Sequence, residues 1–488
     1  MNYKVGISNS TDHFVRISAW ISNPSKNNFK LQLPAWRPGR YELANYAKNI
    51  RCFEAFDENG IAVSFKKVNK DLWEIFAIGN SKIQVSYEYY ANQPDAGASF
   101  AGEQFLYLNP VNCFMYVENR MDEPFEITLD IPANWQIACQ LKHQEKTLLA
   151  PHFDALADSP FFASPNLVHH SFKLNQTNIH FWFEGGTTNN MAQLEADTRA
   201  YAQAQLNIFG ELPLNDYHFL YLLTSEKFRH GVEHADSTVI AMGPAADMDN
   251  PDFYNDFLAI SSHELFHLWN IKRIRPTDML PYNFTKENYS ELGYIYEGIT
   301  TYYGDLMLFR SGVWNFEQYA ASLANDFNRH YNNAGRFNYS VAQSSFDTWL
   351  DGYVPGVKGR KVSIYMEGLI AALVADIKIL EATAGKASLD DVLKQLYEET
   401  FKKGMGYNKA LYQDLLENVS GESFHRYFSD LIDGKGLWDE YIINCLKVVG
   451  LELIVDFDEV GIAHSIVKKI SNPNASQNSY FDLWSKNR

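Results

Sequence analysis

Cysteine is scarce. The 488-residue chain has four, Cys52, Cys113, Cys139 and Cys445, and no two form a C-x-x-C pair. That excludes a disulfide framework and a cysteine zinc site, and it fits a reducing compartment. No run approaches the ~18 apolar residues of a membrane helix. The opening MNYKVGISNSTDHFV lacks the apolar core of about 7–15 residues that a signal peptide needs, so the expected location is cytoplasmic. Positive charge is also in deficit: Lys and Arg number 42 against 59 Asp and Glu, a formal net charge of −17. An acidic chain disfavours nucleic acid and anionic membranes as partners. Internal repeats, low-complexity tracts and coiled-coil heptads are absent. Aromatics are plentiful, with 29 Tyr and 33 Phe in a chain 46% hydrophobic and 21% charged. Such a chain is too apolar for wholesale disorder. Its length is that of roughly two to four domains.

The first third reads as β-rich. KIQVSYEYY sets Ile83, Val85, Tyr87 and Tyr89 on one face, and FEITLDI does the same with Phe125, Ile127, Leu129 and Ile131. Period-two alternation of this kind marks half-buried strands. FVRISAW (14–20), FKLQL (29–33), IAVSF (61–65) and LWEIF (72–76) read as further strands, and the spacing suggests a sandwich. DSPFFASPN (158–166) is the expected domain boundary. Beyond it, residues 190–210 have helical periodicity closing on Gly210, and HFLYLLT (218–224) reads as a buried strand. From Tyr254 the pattern is mostly helical. Residues 363–385 form a long apolar helix, and 388–404 a helix opened by a Ser388 cap. After about residue 450 short strands return, followed by a polar tail.

The sharpest feature is His263-Glu264-Leu265-Phe266-His267, an HExxH motif. Positions i and i+4 of a helix share a face one turn apart, so two imidazoles there can bind one Zn²⁺. Glu264 is rotated by ~100° from His263, where its carboxylate can serve the metal-bound water as general base without ligating the metal. The flanks, YNDFLAISSHELFHLWN, are apolar and carry no helix breaker. Two histidines and a glutamate in such a helix are costly to bury without a partner, and a metal is the economical one. A catalytic zinc needs a third protein ligand. Residues Leu292 to Leu308 read as a second helix with Glu297 in an apolar setting, followed by Gly298, which allows close approach of another backbone. Glu297 is the expected third ligand.

HELFHLWNIKRIRP, then EGITTYYGDL with 29 residues between His267 and Glu297, resembles the glycyl aminopeptidase family of gluzincin metallopeptidases. LPAWRPGRYELANYAKNI (33–50), LADSP (156–160), SVAQSSFDTW (340–349) and ASLDDVLKQL (387–396) match in order and spacing, so the likeness covers roughly 1–452. The resemblance implies a β-sandwich-like domain over 1–165 and a thermolysin-like, mainly α-helical zinc peptidase domain over 166–455. Residues 456–488 are then a short tail, a remnant of the family's PDZ domain or a small β appendage.

It further implies that HGVEH (230–234) is the amine-binding stretch. Glu233 would hold the substrate's α-ammonium, with Gly231 and His234 lining or orienting that subsite. Tyr365, in VSIYMEG, would donate to the oxyanion. Departures from the family pattern stand at His230 (usually Gly), Glu367 (commonly Lys) and Thr301, where other gluzincins carry an acid. Asp305 is a possible substitute for that acid. The expected activity is zinc-dependent removal of a small N-terminal residue, Gly or Ala, from peptides with a free amine. The rivals are a zinc endopeptidase of the same fold, a catalytically weak peptide-binding protein, and an adaptor acting through the β domain.

Overall fold

Alternating apolar and polar residues set the strands of the amino-terminal region. In Lys82–Tyr90 the side chains of Ile83, Val85, Tyr87 and Tyr89 are buried, and in Phe125–Asp130 those of Phe125, Ile127 and Leu129. Each such side chain contributes about 1.5–3 kcal/mol when fully buried. The computed structural model describes residues 1–9, 11–23, 25–436 and 438–486. They cluster into two units of interleaved chain. One comprises Met1–Asn189, Leu214–Tyr254 and Asn283–Glu287, and the other Asn190–Pro213, Asn255–Tyr282 and the chain from Asn288 onward.

The first unit is built of sheets. A seven-stranded sheet runs Lys142–Gln144, Thr147–Ala150, Phe125–Asp130, Asn2–Asn9, Phe14–Ser22, Lys82–Tyr90, Ile50–Asp57, antiparallel except where Asn2–Asn9 meets Phe125–Asp130. Two four-stranded sheets accompany it. A five-stranded mixed sheet follows in the order Val168–Leu174, Thr177–Glu184, Asp216–Leu223, Ser237–Gly243, Phe228–Glu233, with parallel pairing at its centre. The stretch 158–166, expected as a boundary, holds strand Phe161–Ser164, paired on one side with Gln136–Cys139 and on the other with Leu106–Leu108. Phe162 lies in one core cluster with Leu220, Val239 and Ala241 of the five-stranded sheet. IAVSF also differs from expectation. Asp57 Oδ1 accepts the amides of Asn59 and Ile61 at 2.8 Å each, turning the chain, and the strand begins at Phe65.

The second unit is mainly helical. Met191–Phe209 is capped by Asn190 and closes on Gly210 at φ 81. Helix Met366–Ala382 is buried continuously from Met366 to Ile377, as its apolar circumference requires. Ser388 caps Leu389–Glu399 in a reciprocal box with Asp391; that helix stops at Glu399, short of the expected 404. Its end coincides with the β-branched Thr400, whose hydroxyl bonds back to Leu396 O.

Residues 451 onward form an antiparallel hairpin, Leu451–Phe457 with Ala463–Lys469, and then helix Ala475–Ser485. That last helix lies in the stretch whose sequence is polar on average. Its Trp484 is nevertheless 1% exposed, donating to the Tyr302 hydroxyl at 2.8 Å, while its carbonyl accepts from Arg310 Nε at 2.8 Å. No helix among the described residues is long and apolar enough to cross a membrane.

Candidate metal centre

The motif lies where the pattern placed it, at the carboxyl end of helix Pro251–Phe266. His267 falls one residue past the last helical position, but its amide still bonds His263 O at 3.3 Å, so both imidazoles share a face. Their Nε2 atoms are 3.1 Å apart. Glu297 sits in a π-helical turn, Tyr294–Ile299, that leads into helix Thr300–Arg310, and its Oε2 is 3.4 Å from His267 Nε2. Ligand atoms of His263, His267 and Glu297 all lie within 4.8 Å of one another. Tetrahedral ligands at ~2.0–2.1 Å from Zn²⁺ are themselves about 3.4 Å apart, so the three groups fit one such ion.

The chemistry of the donor set agrees. His267 Nδ1 lies 2.8 Å from Asn270 O, a carbonyl that can only accept, which puts the ring hydrogen on Nδ1 and the lone pair on Nε2. A lone pair is thus presented toward a carboxylate that is 3% exposed, an arrangement a cation relieves. Glu264 is buried beside its histidines in sequence, at 5% exposure.

Two residues that pattern reading passed over build this geometry. Asn270 Nδ2 donates to Ile295 O at 2.9 Å and to Thr300 Oγ1 at 3.0 Å, so it ties the segment after the motif to the turn bearing Glu297. Thr300 in turn donates to Tyr296 O at 2.8 Å. The signal available was a fully buried-type asparagine three residues past the second histidine. Next to it, Ile271 adopts φ 115, a conformation a β-branched side chain rarely takes.

The helix after Glu297 is pressed on the motif helix: a Cβ at Gly304 would stand 3.1 Å from His263 Cα, and Ser262 Oγ donates to Gly304 O at 2.6 Å. Gly298, expected to permit close approach, lies against Gly368 backbone with no room for a Cβ. Thr301 Oγ1 bonds Glu297 O, and Asp305 accepts from Ser322 on helix Phe316–Tyr331. Asp305 is thus engaged with a neighbouring helix.

Tyr365 is half-buried at the residue before helix Met366–Ala382. Glu367, a departure in charge, is 1% exposed and its Oε1 is 3.1 Å from His330 Nδ1.

Glu233, His234 and Gly231 belong to the first unit. Glu233 ends the edge strand Phe228–Glu233, is 4% exposed, and its Oε1 has no hydrogen-bond partner among the described residues. Its carboxylate abuts Gly39, in the left-handed region at φ 77, where any Cβ would collide with it. His234 Nδ1 is 3.1 Å from Asp158 Oδ1, and Asp158 Oδ2 accepts the amide of Ala235 at 2.8 Å. His230 is held by Asp95 at 2.7 Å with Arg37 Nη2 at 3.5 Å. Burial alone would raise the Asp95 carboxyl, but the His230 bond and charge, with the Gly97 amide and Arg37, hold it at about 2.

Comparison with known proteins covers both regions. Residues 2–165 match the family model described as Peptidase M61 N-terminal domain, and residues 256–371 the one described as M61 glycyl aminopeptidase. An aminopeptidase N family protein from Idiomarina loihiensis has a similar structure: TM-score 0.88, 25% identity, covering 95% of this chain and 81% of that one. A mutant M1 zinc metallopeptidase from Deinococcus radiodurans, crystallised with a Tyr-Ser-Ala substrate, shares the fold at TM-score 0.55 and 14% identity, covering 89% of this chain and 94% of that one. No curated protein matched. A sheet-rich amino-terminal region followed by a mainly helical one is thus the architecture of this chain and of these metallopeptidases.

Proposed function

Since the chain belongs to the M61 glycyl aminopeptidase family, and so to the metallopeptidases, we propose that it is a zinc-dependent aminopeptidase removing a small N-terminal residue from peptides. One observation carries the reading: His263, His267 and Glu297 converge within 4.8 Å, with Glu264 on the same helix turn. His263, His267 and Glu297 would hold a Zn²⁺, which when bound would supply a Lewis acid for the scissile carbonyl and a water whose pKa falls to about 7. Glu264 would take the proton of the attacking water and return it to the leaving amine. Tyr365 donates to the developing oxyanion. Glu233 pairs with the α-ammonium, for which a buried carboxylate with an unpartnered oxygen is the fitting chemistry. His234 and Gly231 shape that subsite, Asp158 fixing the imidazole. Preference for Gly or Ala follows from the family's name alone.

The test is Glu264→Gln, which keeps the side chain's shape and removes the base. It is expected to retain bound metal and to lose about 10²–10⁴ in kcat/KM on aminoacyl-amides. Wild-type turnover by this variant, or wild-type turnover after chelation, would sink the proposal.

A further inference from the structure

Glu367 reverses the charge that resemblance leads one to expect two residues after Tyr365, and its surroundings give it a task. It is 1% exposed, in the first turn of helix Met366–Ala382, and faces His330 (0% exposed) in the last turn of helix Phe316–Tyr331. On the other edge of that imidazole, Arg336 Nη1 is 3.3 Å from Nε2. A guanidinium can only donate, so His330 Nε2 accepts and Nδ1–H donates to Glu367. Arg336 is itself held over the rings of Tyr331 and Phe337 and lies 3.7 Å from Asp439.

We propose that Arg336, His330 and Glu367 form a positioning chain that fixes the turn from which Tyr365 acts. The inference rests on the reading of Tyr365 as oxyanion donor. Tyr365 and Glu367 are bound into one turn by two backbone bonds, Glu367 N to Ser363 O at 3.1 Å and Leu369 N to Tyr365 O at 2.9 Å. The next residue, Gly368, packs backbone to backbone on Gly298, the neighbour of Glu297. A turn wedged against the metal-ligand turn on one side and pinned through Glu367 on the other has little freedom to shift its tyrosine. Apolar side chains would fill the same core without directional bonds, and a buried carboxylate is costly without a partner. Direction is what this chain supplies.

The experiment is a double-mutant cycle between His330→Leu and Tyr365→Phe, read as kcat and KM on an aminoacyl-amide, with metal content and Tm measured alongside. Tyr365→Phe alone is expected to lower kcat by about 10²-fold at nearly unchanged KM. His330→Leu alone is expected to lower kcat about tenfold with metal retained, and to cost less than about twofold in the Tyr365→Phe background, since groups acting as a unit are not additive. His330→Asn, whose amide can replace the Nδ1 donor, should recover most of the lost kcat. If His330→Leu does not fold, Glu367→Gln replaces it in the cycle, with a loss of about threefold that vanishes in the same background.

Full multiplication of the two effects, or His330→Asn no better than His330→Leu, overturns the positioning role and leaves Tyr365 in place. A Tyr365→Phe enzyme with wild-type kcat overturns the oxyanion reading and, with it, this inference.

Discussion

His267 has two ring nitrogens, and each is committed by a different part of the molecule. Nε2 faces His263 and Glu297, while Nδ1 is spent on Asn270 O. Asn270 then uses its own amide to hold Ile295 and Thr300. Outer partners of this kind typically set metal affinity by 10–100-fold. Asn270→Ala is therefore expected to weaken zinc binding at least roughly tenfold, as read by competition with a chromophoric chelator. Unchanged affinity would show that the ligand geometry does not depend on it. That His263 and His267 share a helix face was legible from spacing alone, because i and i+4 lie one turn apart. Asn270 was not, because its role depends on a tertiary contact with a turn two dozen residues away.

Asp326 makes the other residue-scale prediction. Burial, with Asp305 adding to it and Arg329 opposing, pushes its carboxyl up to about 8 from an ordinary 3.8. Between those values the folded chain keeps a proton that the unfolded chain has released, so stability falls as pH rises through that window. Asp326→Asn should then gain more over wild type at pH 8 than at pH 5 in denaturant midpoints. An equal difference at both pH values would contradict the assignment.

Among the elements, three helical segments meet at small residues. The turn bearing Glu297 rests on Gly368 through Gly298, and the helix that follows rests on His263 through Gly304. Gly298 was readable as a point of close approach, but its partner was not, since nothing in local spacing pairs residue 298 with 368. The same limit hid the carboxyl-terminal helix. SNPNASQNSYFDLWSKNR is polar on average, yet Trp484 caps the Tyr302 hydroxyl and its carbonyl takes Arg310 Nε, while Arg310 Nη1 donates to both carboxylate oxygens of Asp390 at 2.9 Å. Removing that indole leaves a cavity and takes its N–H donor away from the buried Tyr302 hydroxyl. Trp484→Ala should cost about 3–5 kcal/mol in unfolding free energy, measured by urea titration. A loss under about 1 kcal/mol would mean the helix is an ornament on the unit rather than part of its core.

At the scale of the whole chain, the sheet-rich region was legible because alternation is a local signal, and the helical region because apolar periodicity is too. How chain segments interleave was not. Strands from Val168 to Gly243 join the first unit although helix Met191–Phe209 between them belongs to the second. The core that claims Phe162 is assembled from residues far apart in sequence, a contact pattern no window of the sequence contains.

The central claim is that the metallopeptidase acts on free amino termini, and Glu233 makes the claim specific. The most direct measurement is kcat/KM for one short peptide beginning with Gly or Ala, offered with a free and with an acetylated amine. The account predicts cleavage of the first bond in the free peptide, abolished by chelator and restored by Zn²⁺, and at least about a hundredfold less cleavage of the acetylated one, since a charge-assisted pair to a buried carboxylate is lost. Equal turnover of the two peptides, or cleavage at internal bonds, would contradict it.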